Sequence, residues 1–301
     1  MKNNLALFFP IFLFTVIFMH NDNVYGDKIP PDEVEITTPV YSPKPDTFEP
    51  RFGQYTYTVT WQGVPAGTLE LNLEQNGMNY QIKASARTNR FVDFFYKLRF
   101  NTEALVAKDT LYPKNSAYNS RENHRRQNTE ITFLPNGEIE SVHEDRRGNV
   151  KKIRFNPDNF TLDPFSAVFL ALSLEWDVGD TRQFDTFTGK NRYLIELTAI
   201  EKTDIRVRGT TYEAIVISPR VKNLGDKNAS EDDDRLHEAR IYVSTDPSRK
   251  ILRISSDVFV GSIDTTMVSF APSDNNAKTD SEKKADPPRR SPLDPSPRFI
   301  N

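Results

Sequence analysis

Tyr55-Thr56-Tyr57-Thr58-Val59-Thr60-Trp61 alternates apolar and polar side chains without a break. Successive side chains of a strand point to opposite faces, so the run suits a strand with one face buried and the other solvated. The same grammar continues down the chain. Gly63-Val64-Pro65-Ala66-Gly67 separates the first strand from Leu69, Leu71 and Leu73, which alternate with Glu70, Asn72 and Glu74. Asn76-Gly77 is a tight-turn dipeptide, and Tyr80, Ile82, Ala84 and Ala86 resume the alternation after it. Pro135-Asn136-Gly137 divides Ile131-Phe133 from Ile139-Val142, and Arg147-Gly148-Asn149 precedes Val150, Ile153 and Phe155. Further short strands are predicted at 193–197, 205–207, 214–217, 239–243, 251–255 and 265–270. Roughly a dozen strands at this spacing predict a mainly β fold, antiparallel meanders curling into a single curved sheet or an open barrel.

One segment breaks the pattern. Asp163-Pro164 is a helix start, with Asp as N-cap and Pro in the first turn. Phe165, Val168, Phe169 and Leu172 follow at the spacing of one helical stripe, and Leu170 and Leu174 widen it. A helix this apolar, over about 163–174, needs a large surface to cover it, and the concave face of the sheet is the expected place. The aromatic run Phe91-Val92-Asp93-Phe94-Phe95-Tyr96 predicts a helical turn at the mouth of the sheet.

The ends differ in kind. Lys2 precedes an apolar run, Leu5 to Met19, too short to span a bilayer comfortably, and Val24-Tyr25-Gly26 suits a signal-peptidase site. Residues 1–26 are therefore expected to be a signal peptide; retention as an N-terminal anchor is the other reading. Residues 27–51, with six prolines among acids and hydroxyl residues, read as a tether, and 273–301 as a disordered Pro-rich, charged tail. Between them, 52–272 reads as one β domain. These polar ends account for a mean hydropathy of -0.60. The formal net charge of -3 argues against a general nucleic-acid binder. With Cys 0, disulfides, thiolate metal sites, a cysteine nucleophile and lipoprotein anchoring through cysteine are excluded. No later apolar run approaches the roughly 18 residues of a membrane helix, so no transmembrane segment is expected after signal cleavage.

The ordered set Trp61-Gln62-Gly63, Ala66-Gly67, Asn89 to Tyr96, Leu111-Tyr112-Pro113, Asp163 to Phe169, Ile241 to Asp246 and Gly261-Ser262-Ile263 resembles the bacterial family called domain of unknown function 3108. The likeness covers about Tyr55 to Phe270. It implies export in Gram-negative bacteria, hence a periplasmic location, and a curved antiparallel sheet around a helix. That shape is similar to periplasmic carriers and receptors of outer-membrane lipoproteins. The family supplies no agreed catalytic residues. The acidic loop Glu231-Asp232-Asp233-Asp234 is a departure from its pattern.

Sites for chemistry are sparse. His124, His143 and His237 lack the spacing that sets two imidazoles on one helix face, and all three read as exposed polar residues. Glu231 to Asp234 offers oxygen ligands without the spacing or glycine of a calcium loop, and reads as solvated. No serine-hydrolase or phosphate-cradling motif occurs. Catalytic residues, metals and cofactors are all expected to be absent. His124-Arg125-Arg126, with Arg121 nearby and Arg146-Arg147 downstream, forms a basic stretch able to meet lipid phosphates or an acidic partner, but a strand face paired with Glu122, Glu130, Glu144 and Asp145 is the expected reading. Phe91, Phe94, Phe95, Tyr96, Phe165 and Phe169 are the candidate ligand-binding residues, lining an acyl pocket or simply filling the core. The expected function is non-enzymatic: binding of a hydrophobic ligand, lipid or acyl, or of an envelope component. The alternative is an envelope assembly or scaffold protein with a packed core, binding another protein through edge strands or its Pro-rich ends.

Overall fold

A computed structural model describes residues 48–157, 159–224, 239–257 and 261–273. The expected signal, most of the tether and tail, the acidic loop and His237 lie outside the described residues. The strands are β1 Gly53–Trp61, β2 Val64–Asn76, β3 Asn79–Thr88, β4 Leu98–Ala107, β5 Pro113–Glu122, β6 Arg125–Phe133 and β7 Ile139–Glu144. They continue as β8 Val150–Phe155, β9 Thr181–Phe187, β10 Arg192–Val207, β11 Thr210–Asn223, β12 Arg240–Ser244, β13 Ile251–Asp257 and β14 Ser262–Pro272. Among the described residues one α-helix, α1, runs Pro164–Ser173 between β8 and β9. All 14 strands join one antiparallel sheet in the order β8-β7-β6-β5-β4-β3-β2-β1-β14-β13-β12-β11-β10-β9. The sheet is curved and is not closed by strand pairing.

Two meanders meet where β1 pairs with β14, so the chain ends of the domain lie at the middle of the sheet. The predicted alternation of the first strand is borne out: Tyr55, Tyr57 and Val59 are buried, and the intervening threonines are less so. The β1–β2 connection is tighter than its sequence suggests. Gln62 (φ 48) and Gly63 (φ 78) make the turn, and Val64 already pairs with Trp61. Both turn residues have positive φ, matching the twist of a two-residue hairpin.

α1 begins as the sequence predicts. The Asp163 carboxylate accepts from Phe165 N at 2.9 Å and from Ser166 Oγ. The main core lies under the helix and joins Phe169, Leu170 and Leu174 to Tyr80, Ile82 and Val106 on one side and Ile215, Ile241 and Val243 on the other. Burying each such side chain contributes about 1.5–3 kcal/mol. Phe48, read from the sequence as tether, is buried in this core and meets the Phe169 ring edge-on at 5.9 Å.

The outermost strands β8 and β9 approach each other without strand pairing. Phe155 and Phe187 are in ring contact at 5.0 Å. Ser141 Oγ donates to Gly189 O at 2.7 Å. The outer edge of β9 is covered by the chain leading into α1, with Leu162 N donating to Asp185 O (2.9 Å) and Phe187 N to Leu162 O (2.8 Å). Covering an edge in this way removes a template for pairing with another chain. Among the described residues, no helix is long and apolar enough to cross a membrane.

Candidate functional site

A cavity of about 230 Å³ lies between α1 and the half-sheet β9–β13. Its roof is one stripe of the helix: Ala167, Val168, Ala171 and Leu172. The two alanines sit one turn apart, and their small side chains leave the helix standing off the sheet. Phe184, Ile195, Ile215, Ile217, Ile241 and Val243 form much of the floor. Trp176 stands at the end of the helix, its Nε1 donating to Ala171 O at 2.8 Å and its ring covered by the Arg182 guanidinium at 4.6 Å.

The polar residues of the cavity are few: Glu175, Lys202, Ser244, Thr245 and Arg249. Lys202 faces the cavity because of a bulge. The β10–β11 register shifts between Ala199 and Glu201, which reverses the alternation, so Ile195 and Leu197 line the cavity before it and Lys202 after it. Arg249 sits in the β12–β13 connection at φ 45, an uncommon backbone for a residue other than glycine. Its Nη1 donates to Leu174 O at 2.6 Å, which ties the loop to the end of the helix. Its Nε is buried and has no hydrogen-bond partner among the described residues. A buried N–H without an acceptor is costly.

The six aromatic candidates fall into three separate places rather than one. Phe91, Phe94 and Phe95 are 68%, 86% and 61% exposed, on and beside a short 3₁₀ turn, Val92–Phe94, in the β3–β4 connection. Tyr96 packs on a separate cluster around Val59, Ala86 and Phe100. Phe165 stacks on Tyr118 at 6.2 Å, and Phe169 packs on Tyr80 at 5.4 Å. None of the six lines the cavity. The helix therefore has two sides, a packed one carrying the phenylalanines and an open one carrying the alanines. Spacing alone does not reveal this, because a cavity wall and a packed core use the same apolar residues. The alanine pair, one turn apart on the helix, is the signal that points to the site.

His143 corrects the expectation of exposed histidines. It lies on the inward face of β7 with Ile139 and Ser141, and is buried. Its Nδ1 is 2.8 Å from Thr129 Oγ1. His124 is exposed at the β5–β6 turn. Among the described residues, no three of His, Asp and Glu gather as a metal site.

No curated protein matches the chain. A solved structure described as a beta-barrel-like protein of domain of unknown function DUF1849 from Brucella abortus is similar, with a TM-score of 0.49 and 10% identity over 75% of this chain and 98% of that one. The family described as "Protein of unknown function (DUF3108)" matches residues 56–268, and the chain belongs to that family.

Proposed function

We propose that this protein is an exported, non-enzymatic binder of a hydrophobic ligand, a single acyl chain held between α1 and β9–β13. The cavity carries the reading. It is larger than the about 150 Å³ of an apolar void that takes up benzene, and it approaches the about 300 Å³ at which small-ligand pockets begin. Its walls are apolar, with a handful of polar groups that would orient a ligand, as in small-molecule sites generally. Arg249 would supply the cation that receives a carboxylate or phosphate at the end of the chain. Export rests on the N-terminal segment, with its charged start and short apolar run.

Native mass spectrometry of the protein as it accumulates in its own cells, before and after denaturing extraction, tests the reading. A co-purifying acyl compound is the expected result. Delipidated protein should then bind a fluorescent fatty acid, and Val168→Trp, which fills the cavity from a half-buried position, should abolish that binding at unchanged melting temperature. A delipidated protein that binds no acyl probe, or binds it equally well as Val168→Trp, removes the reading. A packed assembly factor would take its place.

A further inference from the structure

We infer that the rim carrying the β3–β4 turn is a docking surface for an anionic phospholipid bilayer. The first observation is a row of arginines. Arg87 pairs in register with Arg99, Arg99 with Arg121, and Arg121 with Arg126, across β3, β4, β5 and β6. The strand neighbours of the first three, such as Ala86, Leu98 and Ser120, are buried, so these arginines lie on the outer face, and Arg126 shares that face through its register with Arg121. Adjacent strands lie about 4.8 Å apart, and like charges placed directly opposite destabilise a sheet. Acids relieve only part of the row. Arg87 is 3.9 Å from Glu70, and Arg99 is paired with Asp93 at 2.5 Å. Arg121 and Arg126 form no ion pair among the described residues. The next outward row runs Glu70, Ser85, Asn101, Asn119, Asn128 and Glu144, with acids at its two ends and no charge on the four strands that carry the arginines. A sheet that keeps such a row gains from it when an extended polyanion lies against it.

The second observation identifies the polyanion. Immediately beyond the row, Phe91, Phe94 and Phe95 project into solvent in edge-to-face contact with one another, 5.8 and 5.1 Å apart. They are held outward by a braced turn. Thr88 Oγ1 donates to Asp93 Oδ1 at 2.5 Å, Val92 N donates to Asn89 Oδ1 at 2.9 Å, and Phe95 N donates to Val92 O at 2.9 Å. Arg90 and Lys97 flank the turn, and reciprocal bonds between Lys97 and Asn123 fasten it to the β5–β6 hairpin. Aromatic side chains at the apex with cations one step behind match the depth profile of a bilayer surface, where rings sit at the acyl boundary and arginines at the phosphates. A nucleic acid would use the arginines and leave three phenylalanines in water. A protein partner would have to supply a pocket for the protruding turn together with a strip of acids for the arginine row, whereas an anionic bilayer presents both at the required depths.

The surface is separate from the cavity, and the two readings can fail independently. Because the chain has Cys 0, the substitution Phe94→Cys gives one labelling site for a polarity-sensitive dye on the full chain. Met78→Cys, at an exposed position on the opposite rim, is the control, and it also cancels any membrane affinity of the Leu5–Met19 run. With vesicles of equimolar phosphatidylglycerol and phosphatidylcholine, the dye at 94 should brighten, shift to the blue and be quenched by a lipid-borne spin label, while the dye at 78 should not respond. Phosphatidylcholine vesicles, or high salt, should suppress the signal. Arg121→Gln with Arg126→Gln should weaken the response about tenfold or more, at about 1 kcal/mol per cation near the surface, without lowering the melting temperature. Val168→Trp should leave it intact. Equal responses at 94 and 78, indifference to lipid charge, or insensitivity to the arginine substitutions would overturn the inference. So would quenching at 94 by a captured protein or second copy in place of lipid.

Discussion

Asp163 illustrates how a single residue can serve a fold and still make it sensitive to acid and base. As N-cap it answers two donors of the first helical turn, the Phe165 amide and the Ser166 hydroxyl. Burial nevertheless outweighs those bonds and pushes its carboxyl up to about 6. The unfolded chain releases that proton near the ordinary aspartate value of 3.8, so between about pH 4 and pH 6 the folded state binds more protons than the unfolded one. Stability from this group is present below that window and falls as pH rises through it, by an amount on the order of 3 kcal/mol. Asp163→Asn keeps a capping acceptor without a titrating proton. The variant should lose ground to wild type near pH 4 and gain on it near pH 7, read as the difference between the two melting temperatures across pH. A difference that does not change between those values would place the buried charge elsewhere. Gly189 is a second residue with a defined tolerance. It has φ 87, and a Cβ there would lie 2.2 Å from Thr129 Cγ2. Gly189→Ala should therefore cost about 2 kcal/mol or more in urea unfolding, combining backbone strain with a clash at the seam.

At the scale of elements, the seam between β8 and β9 depends on a buried ion pair. Arg192 and Asp185 both have fully buried side chains and bond through two donors, Nε at 2.8 Å and Nη2. Thr161 Oγ1 donates to the same carboxylate at 2.8 Å, and the guanidinium lies 5.8 Å from the Phe155 ring centre. The pair thus ties β9 and β10 to the chain entering α1 and to β8 across the gap. Asp185→Leu alone leaves a buried cation uncompensated and should cost about 3–5 kcal/mol. Adding Arg192→Met should recover most of that loss, because a desolvated pair is worth little net against apolar side chains of similar size. Chemical denaturation of the two single variants and the double variant checks this, and additive losses would contradict it. The seam was not legible in the sequence for a physical reason. β9 is buried through its last four residues, Phe184 to Phe187, so it shows no alternation. β5 carries Ser116, Tyr118 and Ser120 on its inward side, so its periodicity is hidden in small polar residues. β4 alternates Leu98, Phe100, Thr102, Ala104 and Val106, yet its inward row mixes polar with apolar residues. β10 reads as two strands because the bulge at Ile200 interrupts one long strand. Where one face is apolar and the turns contain glycine, as in β1 to β3 and β6 to β8, the sequence predicts the strands closely. The helix start at Asp163-Pro164 was equally plain, while the open side of the helix was not.

For the molecule as a whole, the question is whether α1 stays in place when the cavity fills. The packed side of the helix is held by Phe169 on Tyr80 and Phe165 on Tyr118, and its end is held by Arg249 on Leu174 O. Those contacts would be lost if the helix were displaced, whereas the cavity beside the alanine stripe accepts a guest without moving it. A space of about 230 Å³ holds roughly eight methylene groups, taking each as about 30 Å³, the share of a water molecule in the liquid. Affinity across a series of saturated fatty acids should accordingly rise by about 0.8 kcal/mol per methylene, the value for burying such a group. It should flatten once the cavity is full and further methylenes remain in water. Competition against a fluorescent fatty acid gives this curve, and the melting temperature of the saturated complexes should follow it, since ligand that binds only the folded state stabilises by mass action. Arg249→Met should lower the whole curve without moving its break, because the head-group contact is common to every member. A curve that climbs to the longest chains without flattening would mean instead that the helix gives way as a plug. Amide exchange along Pro164–Ser173 should then accelerate with chain length, whereas a fixed helix keeps its protection throughout the series.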